Sequence, residues 1–362
     1  MKENIVVIGS GWAGASLVKH LDSDKFNITV ISNNLEFVYT PLLTYKSMNN
    51  INLNYPIVSI NDNIKTIKKN IDIEMIDFNN NSIKMNDNNI KYNIKYNYIV
   101  FANGATINTF NIEGVETFCH YINNFNINKV NNIDNIYVIG TGPTGTEMIG
   151  YLLDYKKSTN ANYNIIAIDG LDGPLNMIKD SSEIVNFWKE QDIGQYYNNF
   201  VKKITDKNII TTNNNFNTNT NDVILWLGGV KITPLSIEVN NFFKNENRLG
   251  IDTNDSMMVK NSRNVFAIGD CNGLKLPPTA QVAYQQGKFL ANNFNNNSIN
   301  NSFTYNDMGS FFYYGQGNSV YNYKKTLQFG GKLTGYLNNF VHLYNCINFK
   351  QSLQILKEKY LK

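Results

Sequence analysis

Six glycines fall into two loops of identical spacing: Gly9, Gly11 and Gly14, and Gly140, Gly142 and Gly145. In such a loop the first glycine permits a tight turn out of a strand. The second lets the backbone approach a pyrophosphate, and the third lets the following helix pack close. Backbone N–H groups at the helix start then face the phosphates. One such loop is weak evidence; two, each between an apolar strand and a helical pattern, point to two dinucleotide sites. The bland alternative is a pair of helix-start turns with glycines at chance spacing. Trp12 and Ala13 in the first loop, and Pro143 and Thr144 in the second, complete the candidate contact surface.

The end of the following strand reads the ribose, because an acid there binds ribose hydroxyls and repels a 2′-phosphate. The second unit ends on Asp169, which argues for NADH over NADPH; the alternative is a turn aspartate beside Gly170. The first unit ends on Ser32, which leaves its ligand open. A third apolar strand, Val265–Ile268, leads into Gly269-Asp270. That pair is either an ordinary turn or a carboxylate and amide set against a second part of a flavin nucleotide. Pro277-Pro-Thr-Ala-Gln281 then opens a helix, whose start at Ala280 would stabilise negative charge on a reduced flavin. Gly104 and Gly228 join the cofactor-binding candidates.

These residues need particular elements to hold them. Ile5–Ile8 and Ile28–Ile31 flank the first loop, and Ile136–Ile139 and Asn164–Ile168 flank the second, giving two βαβ starts. The expected class is α/β, with two Rossmann-like domains. If the Val265 strand returns to the first, the second is an insertion in it. The boundaries drawn are 1–112 and 236–306 for the first domain, 113–235 for the second, and 307–362 for a C-terminal segment. The chain's 362 residues allow such domains, each with a core.

Composition narrows the function further. A net charge of +3 with pI near 8.4 is too weak and dispersed for nucleic acid. Asparagine runs such as Asn79–Asn81 and Asn295–Asn297 read as surface loops. The three cysteines, Cys119, Cys271 and Cys346, have neither dithiol nor zinc spacing, and His20, His120 and His342 show no ligand spacing. No metal site is expected. No signal peptide or arginine-rich presequence is visible before Ile5, and no apolar run is long enough to span a membrane.

Several stretches together resemble the type II NADH:quinone oxidoreductases. Gly9-Ser-Gly-Trp-Ala-Gly14 resembles that family's FAD loop, and Phe37-Val-Tyr-Thr-Pro-Leu-Leu43 its FLFTPLL. Asn108–Val115 is similar to NTFxIPGV, and Gly140-Thr-Gly-Pro-Thr-Gly-Thr-Glu147 to GGGPTGVE. Leu276–Ala283 with Gln285 is similar to LPPTAQVAxQ, and Phe303–Gly309 to FKYNDLG. The resemblance covers nearly the whole chain. It implies hydride transfer from NADH to FAD, two electrons passed on to a membrane quinone, and no proton pumping. Ser32 resembles the serine of eukaryotic members. Thr141 departs from a family glycine at a position the loop tolerates, Asn34 stands where many members have arginine, and the segment from Gly114 to Ile136 is shortened.

The resemblance also assigns roles, each with a plainer alternative. Glu147 is placed near nicotinamide and flavin, able to influence proton or electron coupling, or is a first-turn glutamate favouring the helix's positive end. Gln281 and Gln285 line the quinone site, or lie on a helix surface. Thr40 and Pro41 form the flavin wall, or merely pack. Phe37–Ser47 has no cysteine, so thiol chemistry next to the flavin has no first acceptor.

From Tyr336 the apolar residues Leu337, Phe340, Val341, Tyr344 and Ile347 share one helical face, opposite Asn338, His342 and Asn345. Leu353, Leu356 and Tyr360 follow, flanked by Lys350, Lys357 and Lys359. This is either a helix on the protein core or an interfacial helix with lysines at the headgroups. The second reading makes the protein a peripheral membrane protein, with the mitochondrial inner membrane as one location, and leaves a homodimer open. Two rivals stand: a soluble NAD(P)H flavoprotein of the apoptosis-inducing-factor type, and an inactive nucleotide-binding scaffold.

Overall fold

The computed structural model describes residues 2–87, 90–247, 249–344, 346–347 and 349–360. The first sheet holds β1 (Glu3–Ile8), β2 (Phe26–Ser32), β3 (Ile64–Lys68), β4 (Tyr98–Phe101) and, much later in the chain, Val265–Ala267. All five strands are parallel, with Val265–Ala267 at one edge beside β4, followed by β1, β2 and β3. A second parallel sheet is built from β5 (Asn135–Ile139), β6 (Asn164–Ile168), β7 (Gly194–Tyr196) and β8 (Val223–Trp226), in the order β7-β6-β5-β8. Val265–Ala267, now β9, thus returns to the first sheet, and the chain of the second sheet is nested inside that of the first. The α/β class with one Rossmann-like unit inserted in another is the fold observed.

Each central strand is almost wholly apolar, as strands covered on both faces must be. Ile5, Val7, Val30 and Val100 of the first sheet, and Ile136, Val138, Ala167 and Leu225 of the second, are buried. Helix α1 (Trp12–His20) follows the first loop and packs its Ala13, Leu17 and Val18 against Leu290, Ala291 and Phe294 of a later helix, Ala280–Asn295. Gly287 makes that close approach possible, since a Cβ there would lie 2.4 Å from the Ala13 carbonyl. Helix α2 (Leu43–Met48) carries Thr44 and Tyr45, and α3 (Pro143–Thr159) follows the second loop. The helix Ala280–Asn295 is α4 hereafter.

Beyond α4 comes an antiparallel sheet, β10 (Ser310–Gly315), β11 (Asn318–Tyr323) and β12 (Leu327–Gly331). Its Phe312, Tyr314 and Val320 pack with Met148, Leu152 and Trp188 of the nested unit, and the Trp188 indole donates to the Tyr314 carbonyl at 3.2 Å. Two helices end the chain, α5 (Lys332–Tyr344) and α6 (Phe349–Tyr360). Ile347 and Ile355 enter the core around Phe37, Tyr39 and Leu42 of the first unit. The C-terminal segment therefore straps both units together.

The amphipathic tail is turned opposite to a core helix. On α5 the polar Asn338 and His342 are buried, whereas Leu333, Tyr336 and Phe340 are 75%, 74% and 66% exposed. Two expectations fail here. Ile347 does not share the outward face but is fully buried, and Lys359 turns inward among aromatic rings rather than toward a lipid headgroup. Asn345 lies outside the described residues.

Candidate functional site

At the first loop the backbone leaves β1 through Gly9 at φ +113°, where a Cβ would lie 2.3 Å from the Ala102 carbonyl. A Cβ on Gly14 would lie equally close to the Gly9 carbonyl, whereas Gly11 faces open space. That bare backbone ahead of a helix start fits a diphosphate. Ala13 is buried in the helix behind it. Ser10 and Ser32 lie with their hydroxyls 3.1 Å apart, closing the end of β2 with neutral groups. The Trp12 indole donates to Thr40 Oγ1 at 2.9 Å, which holds the Thr40-Pro41 turn beside the loop. Asn34 is exposed, and its side chain accepts from the Glu36 backbone at 3.1 Å.

Gly269-Asp270 lies at the end of β9, in the same sheet as the first loop. A cavity of about 190 Å³ there is lined by Ala105, Gly269, Asp270, Pro277, Val282 and Gln286. Gly104 stands one residue before Ala105, with nothing near its Cβ position. Gln286, which the sequence did not single out, accepts from the Gly269 N–H at 2.6 Å and fixes the turn. Burial pushes the Asp270 carboxyl upward. Among the described residues it has no hydrogen-bond or ion-pair partner, so it suits a ligand hydroxyl. The Thr279 hydroxyl caps α4 by accepting from the Val282 N–H at 3.2 Å, which fixes the helix start at Ala280. Together these residues fit a flavin dinucleotide.

The second loop repeats the first. Gly140 has φ +94°, a Cβ on Gly145 would lie 1.8 Å from the Gly140 carbonyl, and Gly142 faces open space. Pro143 and Thr144 are exposed in the first turn of α3. Gly228 follows β8, where a Cβ would touch the Trp226 ring at 3.0 Å. Asp169 closes the end of β6, its carboxylate accepting from Thr141 and from the Leu171 N–H at 2.9 Å.

Between the loops lies a cluster only partly anticipated. Glu147 sits beyond the first turn of α3, and Thr44 Oγ1 of α2 donates to its Oε2 at 3.4 Å. Burial pushes its carboxyl up to about 8, against the pull of Lys359 and of the Thr44 hydroxyl. Lys359 reaches in from α6. Its ammonium lies 5.0 Å from the Tyr45 ring centroid and 6.0 Å from that of Tyr151, and donates to Asn339 Oδ1 at 3.1 Å. Burial pushes it down to about 8, with Glu147 opposing. Burial and the same ammonium push His342 down to about 3, so that buried ring is neutral. No spacing in the sequence marks Lys359, because two hundred residues separate it from α3.

Gln281 and Gln285 both face the loop before β10. Gln281 Oε1 accepts from Tyr305 Oη at 2.5 Å and from the Met308 N–H at 3.0 Å, and its amide donates to the Gly309 carbonyl at 3.2 Å. Gln285 exchanges two bonds with the Asn306 backbone, at 2.8 and 3.0 Å. The two stretches read separately from the sequence, Leu276–Gln285 and Phe303–Gly309, are thus bonded to each other, and the glutamine amides are occupied by that loop.

Residues 3–287 match the pyridine nucleotide-disulphide oxidoreductase family. The chain belongs to this family. Within it, the chain is 27% identical over 341 residues to the external NADH-ubiquinone oxidoreductase 2, mitochondrial, of Saccharomyces cerevisiae, covering 80% of this chain and 62% of that one. It is 24% identical over 342 residues to a probable NADH dehydrogenase of Dictyostelium discoideum, covering 81% and 74%. The chain spans about three fifths of the length of the yeast relative. The NDH2 of Plasmodium falciparum, solved in complex with NADH, superposes with a TM-score of 0.86 at 19% identity over 99% of both chains. The resemblance to type II NADH:quinone oxidoreductases read from the motifs is the one these relatives carry.

Proposed function

We propose that this pyridine nucleotide-disulphide oxidoreductase is a non-proton-pumping NADH:quinone oxidoreductase, with FAD at Gly9–Gly14 and NADH at Gly140–Gly145, acting at a membrane surface. The observation that carries the reading is the paired cradle: two strand–loop–helix turns, the first sharing its sheet with an Asp270 carboxyl that has no partner among the described residues and the second closed by Asp169. We assign residues 1–112 and 236–306 to the FAD domain, 113–235 to the NADH domain, and 307–362 to membrane association.

When bound, FAD supplies the redox chemistry, accepting hydride from NADH and returning an electron pair to quinone. The protein binds and orients. Asp169 would accept from a ribose hydroxyl. Asp270 would hold a hydroxyl of the flavin's sugar-alcohol chain. The α4 start at Ala280 and Gln281 directs its positive end toward developing negative charge. Trp12 holds Thr40 and Pro41 as a wall. Glu147 and Lys359 together hold a proton that is exchangeable near neutral pH, as uptake of protons by a reduced quinone requires. Gln281 and Gln285 act by fixing the 305–309 loop as a wall of the quinone site, so they shape rather than ligate.

The outward Leu333, Tyr336, Leu337 and Phe340 of α5 support peripheral attachment. Among the described residues no helix is long and apolar enough to cross a membrane. The names of relatives support a mitochondrial membrane.

The deciding experiment adds NADH to purified protein and follows flavin absorbance, then adds a short-chain quinone. The expected result is bleaching on the first addition and recovery on the second. Protein without flavin, or flavin that does not bleach, overturns the enzyme. Bleaching that quinone does not reverse overturns the acceptor.

A further inference from the structure

Thr141 occupies the position between the first two glycines of the second loop, and its side chain is fully buried. Its hydroxyl donates to Asp169 Oδ2 at 2.8 Å, and its backbone N–H donates to the same oxygen at 2.5 Å. The Leu171 N–H takes one position on Oδ1 at 2.9 Å. A carboxylate offers about four acceptor positions. Three are filled by the protein, and the remaining one belongs to Oδ1. The group is therefore held in one orientation with a single acceptor left for a ligand. Among the described residues no lysine, arginine or histidine forms an ion pair with it.

The first loop supplies an internal comparison. Ser10 takes the same place between its two glycines and meets Ser32 at the same place on its strand. The contact between loop and strand end occurs twice in the molecule, once between neutral groups and once with a carboxylate. Only the second arrangement discriminates by charge.

We propose that Thr141 is a positioning residue that sets the nucleotide specificity of the second site. It pins the Asp169 carboxylate to receive a ribose hydroxyl and stops it from turning away from a 2′-phosphate, so the site selects NADH over NADPH. The proposal rests on reading Gly140–Gly145 as the NADH site. Without the hydroxyl, Oδ2 keeps one donor and the carboxylate gains freedom to rotate. Affinity for the unphosphorylated ribose then falls, and repulsion of the phosphorylated one relaxes.

The test titrates the flavin-loaded full chain with ADP-ribose and with 2′-phospho-ADP-ribose by calorimetry. Neither probe carries nicotinamide, so flavin chemistry does not enter. Thr141→Val removes the hydroxyl at nearly constant shape, Thr141→Ala repeats the removal without the crowding of a second methyl, and Thr141→Ser restores the hydroxyl. The expected loss of ADP-ribose affinity in the first two is several-fold and at most about ten-fold, since the bond removed lies within the protein and only the ordering of the carboxylate for the ligand is lost. The preference for ADP-ribose over its 2′-phosphate shrinks with it, and Thr141→Ser recovers both. Wild-type affinity and preference in Thr141→Val and Thr141→Ala overturn the proposal. So does an equal loss for both probes that serine does not repair, since that is a packing effect. If the wild type binds neither probe, the nucleotide reading of the loop itself falls, which separates the two failures.

Discussion

Replacing Glu147 by glutamine should make the fold less sensitive to alkali. Burial raises the carboxyl from 4.5 to about 8, with Lys359 and Thr44 pulling the other way. A carboxyl raised in this way holds its proton more tightly folded than unfolded. Its stabilising contribution is fully present below about 4.5 and is lost as pH climbs through about 8. Each pH unit in that window is worth about 1.4 kcal/mol, which caps the effect at about 5 kcal/mol. Lys359 titrates with the opposite slope, gaining stability as pH rises, yet it moves the variant-minus-wild-type difference in the same direction. Its ammonium is already pushed from 10.5 down to about 8, and losing the Glu147 charge lowers it further. The variant then gains stability at alkaline pH while the wild type loses it. The assay is a series of thermal melts from about pH 5 to about pH 9, with the variant's Tm minus that of the wild type rising by several degrees. A flat difference across that range refutes a proton held by the Glu147–Lys359 pair at neutral pH.

Three further outcomes follow from the geometry. Gly14→Ala and Gly145→Ala each drive a Cβ into a backbone carbonyl, at 2.3 and 1.8 Å respectively, but in different loops. The first should purify with little flavin absorbance, and the second should keep its flavin but lose bleaching by NADH. Leu333→Asp with Phe340→Asp should abolish flotation with phospholipid vesicles, because two charges then replace the apolar side chains proposed to enter the interface. Gln281→Ala removes three bonds to the 305–309 loop and should raise the KM for a short-chain quinone by more than that for NADH, measured in steady state.

What the sequence made legible is what local backbone chemistry dictates. A strand that ends in glycines at fixed spacing leaves few options for the chain that follows, so both loops and both βαβ starts were readable from Ile5–Gly14 and Ile136–Gly145, whereas the strands that complete each sheet, such as Ile64–Lys68 and Val223–Trp226, were not. The pairing of β9 with β4 was readable only as a condition, since nothing local says which sheet an apolar strand will join. Gln286 was missed because a glutamine one turn from Val282 on a helix carries no signal until the Gly269 N–H is placed beside it. Lys359 was misassigned for the same reason, enlarged. A lysine among lysines near a chain end reads as a solvated charge, and only the strap formed by Ile347 and Ile355 brings it to α3. Gln281 and Gln285 were found by motif, but their partners lie in a second motif whose proximity no spacing reveals.

The tail shows most clearly why periodicity stops short of function. A helical period of apolar residues establishes that a helix has two unlike faces, not which of them the protein covers. In α5 the protein covers the polar one. Asn338 donates to Ser319 Oγ at 3.2 Å, and His342 receives the Tyr39 hydroxyl on its backbone carbonyl at 2.9 Å. The first satisfies a buried side-chain amide that would otherwise cost about 1–3 kcal/mol, and the second ties the helix backbone to Tyr39. They also fix the helix rotation, and so leave Leu333, Tyr336 and Phe340 no place but the surface. Outward exposure of three large apolar side chains is unfavourable in water and is relieved in lipid. The inward polar bonds are therefore what leave an apolar outer face, the one proposed above to meet a membrane, and a variant that lost them would be free to roll those side chains toward the core.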